Sequence, residues 1–227
     1  VYILQDFGLL DYLQFDGYSY RLVPILTPYR SAWDIGRIDT DVAYPLLKDT
    51  LRYGNLADPG VNADYFVQYN LSASRAREAF ARVARKLLQE NQPDKAREML
   101  DRGLEALPSP KIRYTDANTY PFIECYYLLE DYDKGDALLK DYAETLKEYI
   151  EYYLQFDGAQ AALVSDIITE KLDSLYELYY LAAYARRDDL VKYFNEYFRT
   201  FGYTDEELIQ PGTDAGDLMD APVVNMQ

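Results

Sequence analysis

Three runs of one stretch decide the fold: Phe80-Ala81-Arg82-Val83-Ala84-Arg85-Lys86-Leu87, the interruption Gln92-Pro93-Asp94, and Ala96-Arg97-Glu98-Met99-Leu100-Asp101-Arg102-Gly103, closed by Leu107-Pro108-Ser109-Pro110. Phe80, Val83, Ala84 and Leu87 recur at helical spacing, as do Ala96, Leu100 and Gly103, so 80–108 reads as two short helices. Two antiparallel helices joined by a tight turn touch closely at one crossing, and small side chains such as Ala84 and Ala96 permit it. Pro93 suits the first turn of the second helix, and Asp94 is placed to cap its start.

Working outward, the spacing of these residues matches a helical repeat of roughly 34 residues, and the fold class expected is mostly α: tetratricopeptide-like antiparallel hairpins behind a loop-rich leading segment with a short strand or two. Any amphipathic hairpin is the blander alternative. From Ser72 the pattern is helical, with turns expected near Gln92-Pro93, 108–115, 130–133, 156–158 and Arg187-Asp188. Asp133-Lys134-Gly135 aligns with Asp94-Lys95-Ala96, and Leu139 with Leu100; a third match places Leu190 and Phe194 likewise. Leu139, Tyr142, Ala143, Leu146, Tyr149, Ile150 and Tyr153 form one stripe. Ala161, Val164, Ile168, Leu172, Leu175 and Tyr179 form the next.

Residues 1–71 carry Pro24, Pro28, Pro45 and Pro59 and read as a separate segment packed on the helices. Within it Tyr18, Tyr20 and Leu22 alternate with Ser19, Arg21 and Val23, the period of a strand, and Pro24 puts that strand at an edge. A helix is expected over 41–51, capped by Asp39 or Thr40, with Leu46, Leu47 and Leu51 inward. Residues 65–69 are expected to form another short extended or helical piece. The helical domain spans 72–209, and 210–227, with Pro211, Gly212 and Gly216, reads as a flexible tail.

The net charge of −16 argues against a nucleic-acid partner, which demands clustered Lys and Arg. The chain has no run of about 18 apolar residues and no leader, and its start at Val1 suggests a fragment or a processed product. The absence of histidine removes the commonest general base and transition-metal ligand. The single cysteine, Cys125, reads as a buried helix residue, not a nucleophile. The 25 tyrosines suit helix seams, and also peptide or carbohydrate surfaces.

Asp39-Thr40-Asp41 and Asp131-Tyr132-Asp133-Lys134-Gly135-Asp136 superficially resemble calcium loops. The second has its glycine one place early and no closing Glu, so capping and an interhelix turn account for both. Asn70-Leu71-Ser72 matches a glycosylation triplet that is frequent by chance. No catalytic, cofactor-binding or metal-binding residue is assigned, and no cofactor is expected.

The run Asp11-Tyr12-Leu13-Gln14-Phe15-Asp16-Gly17-Tyr18-Ser19-Tyr20-Arg21-Leu22-Val23-Pro24 resembles the segment after the last membrane helix in a Bacteroidetes family of unknown function. That family joins an N-terminal module similar to protein O-mannosyltransferases to a soluble C-terminal part. Gly36-Arg37-Ile38-Asp39-Thr40-Asp41, Arg52-Tyr53-Gly54-Asn55-Leu56 and the Ala96 hairpin look like the same family in the same order, so the likeness covers about 11–153. It implies a soluble extracytoplasmic domain, on the periplasmic side of the inner membrane, of a membrane glycosyltransferase whose active site lies elsewhere.

Two function classes follow. One is a non-catalytic interaction domain with a concave, Tyr-lined groove for a protein or glycan partner, or for the parent's own membrane module. The other is a carbohydrate-active enzyme, which needs two carboxyl groups about 5–9.5 Å apart and a raised pKa on one. A purely structural or oligomerisation domain is the third option.

Overall fold

The computed structural model describes residues 9–27, 35–64, 71–109 and 111–212. The expected piece at 65–69, Asn70 of the triplet, and 213–227 of the tail lie outside them. The described residues hold seven α-helices and a small three-stranded sheet near the N-terminus. They divide into two compact units, 1–130 and 131–227.

In the first unit a 3-10 turn (Leu10–Tyr12) leads into β1 (Leu13–Phe15), which pairs antiparallel with β2 (Tyr20–Leu22) and parallel with β3 (Arg37–Ile38). The strand order β2-β1-β3 leaves β2 at an edge, as Pro24 suggested. The alternation in β2 does not, however, bury one face. Tyr20 is half-buried and Leu22 exposed, whereas all three residues of β1, central in the sheet, are buried. Gly36 precedes β3 with φ +83°, and a Cβ there would stand 2.8 Å from the Tyr20 ring and 3.2 Å from the Phe15 nitrogen, so only glycine fits.

The expected helix at 41–51 is two pieces. α1 (Thr40–Pro45) gives way to a π turn (Leu46–Thr50), in which Leu51 N–H reaches Leu46 O at 2.9 Å. Pro45 has no N–H to donate and crowds the preceding turn, so the ladder widens after it. Leu47 and Ala43 are buried, while Leu46 and Leu51 are half-buried. Asp39 occupies the N-cap position without a side-chain cap bond, and Thr40 Oγ1 donates instead to Glu90 Oε2 at 2.6 Å.

α2 (Leu71–Gln89), α3 (Pro93–Ala106) and α4 (Asp116–Leu128) complete this unit, with α2 packed on both α3 and α4. Phe80, Val83, Ala84, Leu87, Ala96 and Leu100 are all buried, as their spacing predicted. Gly103 lies in close contact at the crossing. A Cβ there would lie 2.9 Å from Phe80 Cβ and Cγ and 3.0 Å from Phe122 Cζ. Arg82 on α2 ties down the sheet: its guanidinium lies 4.3 Å from the Phe15 ring centroid and donates to Tyr20 Oη at 2.9 Å and Ile35 O at 2.8 Å.

The second unit contains α5 (Tyr132–Tyr153), α6 (Gly158–Tyr184) and α7 (Asp188–Arg199), with α6 packed on both of the others. Leu139, Tyr142, Ala143, Leu146 and Ile150 of α5 are buried, and α6 buries Leu172, Leu175, Leu178 and Tyr179. Ala161, Val164 and Ile168, expected on the same stripe, are only half-buried. Tyr176 stacks on Phe198 of α7 at 4.5 Å between ring centroids.

The interhelix turns fall where the sequence placed them, and three share one backbone form. Asn91, Glu130 and Arg186 have φ of 57°, 57° and 55°. After Asn91 the Gln92 N–H reaches Leu87 O (2.9 Å) and Asn91 N–H reaches Leu88 O (3.0 Å); Arg187 and Arg186 repeat this on Ala182 O (2.8 Å) and Ala183 O (2.9 Å). Such paired bonds satisfy the last carbonyls of a helix and reverse the chain. The following helices start at Pro93, Tyr132 and Asp188, 39 and then 56 residues apart. In that register Val191, not Leu190, stands with Ala96 and Gly135, so the third sequence match shifts by one residue. Pro93 is at the first position of α3, but Gln92 is the N-cap, and Asp94 pairs with Arg97 at 3.5 Å instead of capping.

Of the expected tail, 210–212 are held. Gln210 Nε2 donates to Asp205 O at 2.7 Å and Gly212 N–H to Asp188 Oδ1 at 2.9 Å. Among the described residues no helix is long and apolar enough to cross a membrane.

Candidate functional site

An open cleft of about 550 Å³ runs along the outer face of α3, lined by Lys48, Asp94, Arg97, Glu98, Asp101, Arg102 and Glu105. The six helical residues recur at three- and four-residue intervals, so helix geometry brings them to one face. That face is opposite Ala96, Leu100 and Gly103, which α2 covers. The π turn after α1 supplies the seventh residue, because Pro45 turns the chain so that Lys48 overhangs the helix.

Glu98 is the centre of the arrangement. Lys48 Nζ lies 2.6 Å from Glu98 Oε1 and donates to Tyr44 Oη at 3.3 Å, and the Tyr44 hydroxyl donates to Glu98 Oε2. Lys95 Nζ stands 5.5 Å from the Tyr44 ring centroid. The Lys48 hydrogen bond, and after it the Tyr44 one, hold the Glu98 carboxyl below the usual carboxylate range. The same bond to Glu98 pushes the Lys48 ammonium up to about 12. Burial first, then the Glu98 hydrogen bond, raises Tyr44.

The remaining charges pair along the helix. Arg97 lies 3.5 Å from Asp94, Arg102 lies 3.1 Å from Glu105, and Asp101 Oδ1 accepts from Tyr126 Oη of α4 at 2.9 Å. The Asp94 side chain is fully exposed and that of Glu105 70% exposed. Solvated pairs of this kind are worth about 0–1 kcal/mol each, so an incoming chain can exchange them at small cost. The cleft therefore offers charges of both signs over about 17 Å of helix, which suits a polypeptide carrying complementary charges.

The groove is thus charged where the sequence suggested a tyrosine lining. Tyr44 sits at its edge, while Tyr126, Tyr142 and Tyr179 are core residues. A glycosidase-type acid needs a pKa pushed upward, and Glu98 is shifted the other way. The carboxyl that burial does raise is Glu78, on α2 near Arg82 and Arg75 and outside the cleft lining.

The other sequence candidates are structural in their surroundings. Asp131 is an N-cap without a side-chain cap bond and lies 3.7 Å from Lys134, while Asp136 accepts a forked pair from Arg187 at 2.7 and 3.1 Å. Ion pairing, not capping, occupies these carboxylates. No group of three or more acidic or cysteine side chains among the described residues could hold a metal ion. Cys125 is fully buried on α4, and burial pushes its thiol up to about 11, away from the reactive thiolate.

Arg77 was not singled out from the sequence. Wholly buried on α2, it donates Nε at 3.1 Å, and also Nη2, to the Leu107 carbonyl that ends α3, with the Tyr114 ring centroid 5.6 Å away. It closes an otherwise orphaned helix end. None of the cleft residues was singled out from the sequence as a site; the three- and four-residue spacing of the α3 charges is the signal that could have found them, while Lys48 required the fold. No family model, curated protein or solved structure matches this chain.

Proposed function

We propose that the chain is a non-catalytic interaction domain built from tetratricopeptide-like hairpins, and that the α3 cleft docks a polypeptide partner. The observation that carries this is the ladder of positive and negative charges on α3, overhung by Lys48, in which the Arg97–Asp94 and Arg102–Glu105 pairs are exposed and exchange cheaply. The recurring turns at Asn91, Glu130 and Arg186 support the repeat reading, since hairpins of this kind stack into binding surfaces.

The resemblance of 11–153 extends the proposal. The domain then stands on the extracytoplasmic side of a membrane glycosyltransferase, which supplies the transfer chemistry from its membrane module, and the docked polypeptide is either an acceptor or a loop of that module.

The test is quantitative capture from an envelope extract by the wild-type chain and by the double variant Glu98→Lys/Asp101→Lys, both checked by circular dichroism. A polypeptide retained by the wild type and released by the variant, or by salt, supports cleft docking. Identical capture by both chains removes the cleft from the proposal.

A further inference from the structure

α6 is longer than its core requires. All its buried residues lie at Leu172 or beyond, and none of residues 158–171 is buried. Fourteen residues make about 21 Å of helix. That half is nevertheless apolar: Ala161, Val164, Ile167 and Ile168 are half-buried, and Leu163, one helical turn before Ile167, lies on a neighbouring face. Leu163 is 80% exposed. A surface helix normally carries a single apolar stripe, and the exposed Leu163 lies off the stripe of Ala161, Val164 and Ile168. At the turn the exposure continues in Tyr152 (56%) and Leu154 (52%), with Tyr152 packed edge-on against Phe156 at 5.5 Å.

Charge selects the missing partner. Asp166 and Glu170 lie three residues beyond Leu163 and Ile167, the spacing at which helix neighbours meet, so they edge these two residues, Asp166 at the exposed Leu163. Residues 147–173 hold six acids and two lysines, a net charge of −4. Both lysines are engaged: Lys147 lies 3.2 Å from Glu144 and 4.7 Å from the Tyr193 and Tyr197 ring centroids, and Lys171 lies 2.7 Å from Glu170. A second copy of this face would bring its own acids against Asp166 and Glu170 and be repelled.

We infer that the open face of α6 over 158–171 docks an amphipathic helix of about four turns whose apolar stripe is edged by Lys or Arg. Apolar burial on Leu163 and Ile167 supplies the affinity; the acids at the edge set the polarity of the partner. This site is in the second unit and independent of the α3 cleft.

The test measures fluorescence anisotropy of three labelled helical peptides of about 14 residues with the full chain: one with a Leu stripe edged by Lys, one with the same stripe edged by Glu, and one with Ser in place of Leu. The Leu/Lys peptide alone is expected to bind, more weakly as salt rises. Leu163→Asp is expected to weaken it about tenfold or more, the scale of one buried leucine. Leu163 is so exposed that the substitution leaves the fold intact, and Leu163→Ser is the milder check. Four results would overturn the inference: no binding of the Leu/Lys peptide, equal binding of the Ser/Lys peptide, indifference to Leu163→Asp, or sedimentation showing self-association that Leu163→Asp abolishes.

Discussion

Gly103 is the position at which the packing argument is most exposed to test. In Gly103→Ala the new methyl would sit 2.9 Å from Phe80 Cβ and Cγ and 3.0 Å from Phe122 Cζ. Relaxed carbon contacts lie at about 3.5–4.0 Å, so each of the three overlaps by at least about 0.5 Å. Phe80 Cβ and Cγ are the root of a fully buried side chain and cannot swing aside; α3 must move off α2. Overpacking of this kind costs about 1–3 kcal/mol, while Gly→Ala inside a helix returns about 1 kcal/mol of intrinsic propensity. With the overlap at the fixed end of Phe80, the clash wins by about 1–2 kcal/mol. For a chain of this size that lowers the melting temperature by about 2–8 °C. Urea titration followed by far-UV circular dichroism measures it directly. Phe122→Leu removes the Cζ overlap only, so it should be less costly in the Gly103→Ala background than alone, by about 0.5–1 kcal/mol. A Gly103→Ala chain as stable as the wild type, or more stable, refutes the close crossing, because propensity alone would then be acting.

Stability should fall above about pH 10. Burial raises Tyr53 and Tyr197 to about 12 and lifts Tyr176, Tyr179 and Tyr193 as well, so the folded chain keeps protons that the unfolded chain gives up from pH 10 onward, and their stabilisation is lost as pH climbs through the folded values. Arg77, pushed down to about 10 by burial, acts in the opposite sense but is one group against five; tyrosinate absorbance rising together with loss of helix checks the balance. Lys48→Met should lift the Glu98 carboxyl back toward its ordinary value, read by an NMR pH titration, since the Lys48 hydrogen bond is the largest influence lowering it. Asn195→Ala should cost about 1–3 kcal/mol in urea titration. It removes the 3.0 Å bond from Asn195 Nδ2 to Ile209 O and the nearer of two acceptors of the Tyr179 hydroxyl, the other being Ile209 O at 3.2 Å; that hydroxyl itself accepts from Ile209 N–H at 2.6 Å.

The sequence by itself determined the helices and their turns from Ser72 onward. Those signals are local: apolar spacing, Pro93 at a helix start and Pro108 after a helix end. It also marked Ala84, Ala96 and Leu100 as the seam, because side chains at helical spacing share a face wherever the helix is later placed. What it left to the tertiary structure is whatever depends on long-range neighbours. β1 became the core strand because β2 and β3 flank it and Arg82, 67 positions beyond Phe15, covers it. The first half of α6 stayed unburied, although the spacing of Ala161, Val164 and Ile168 put them on one stripe with the buried Leu172 and Leu175. The cleft needed Lys48 and Glu98, 50 positions apart, to meet, and Pro45 set that meeting by widening a helix into a π turn. Periodicity records which residues share a face of one element; only packing decides what comes to lie against that face.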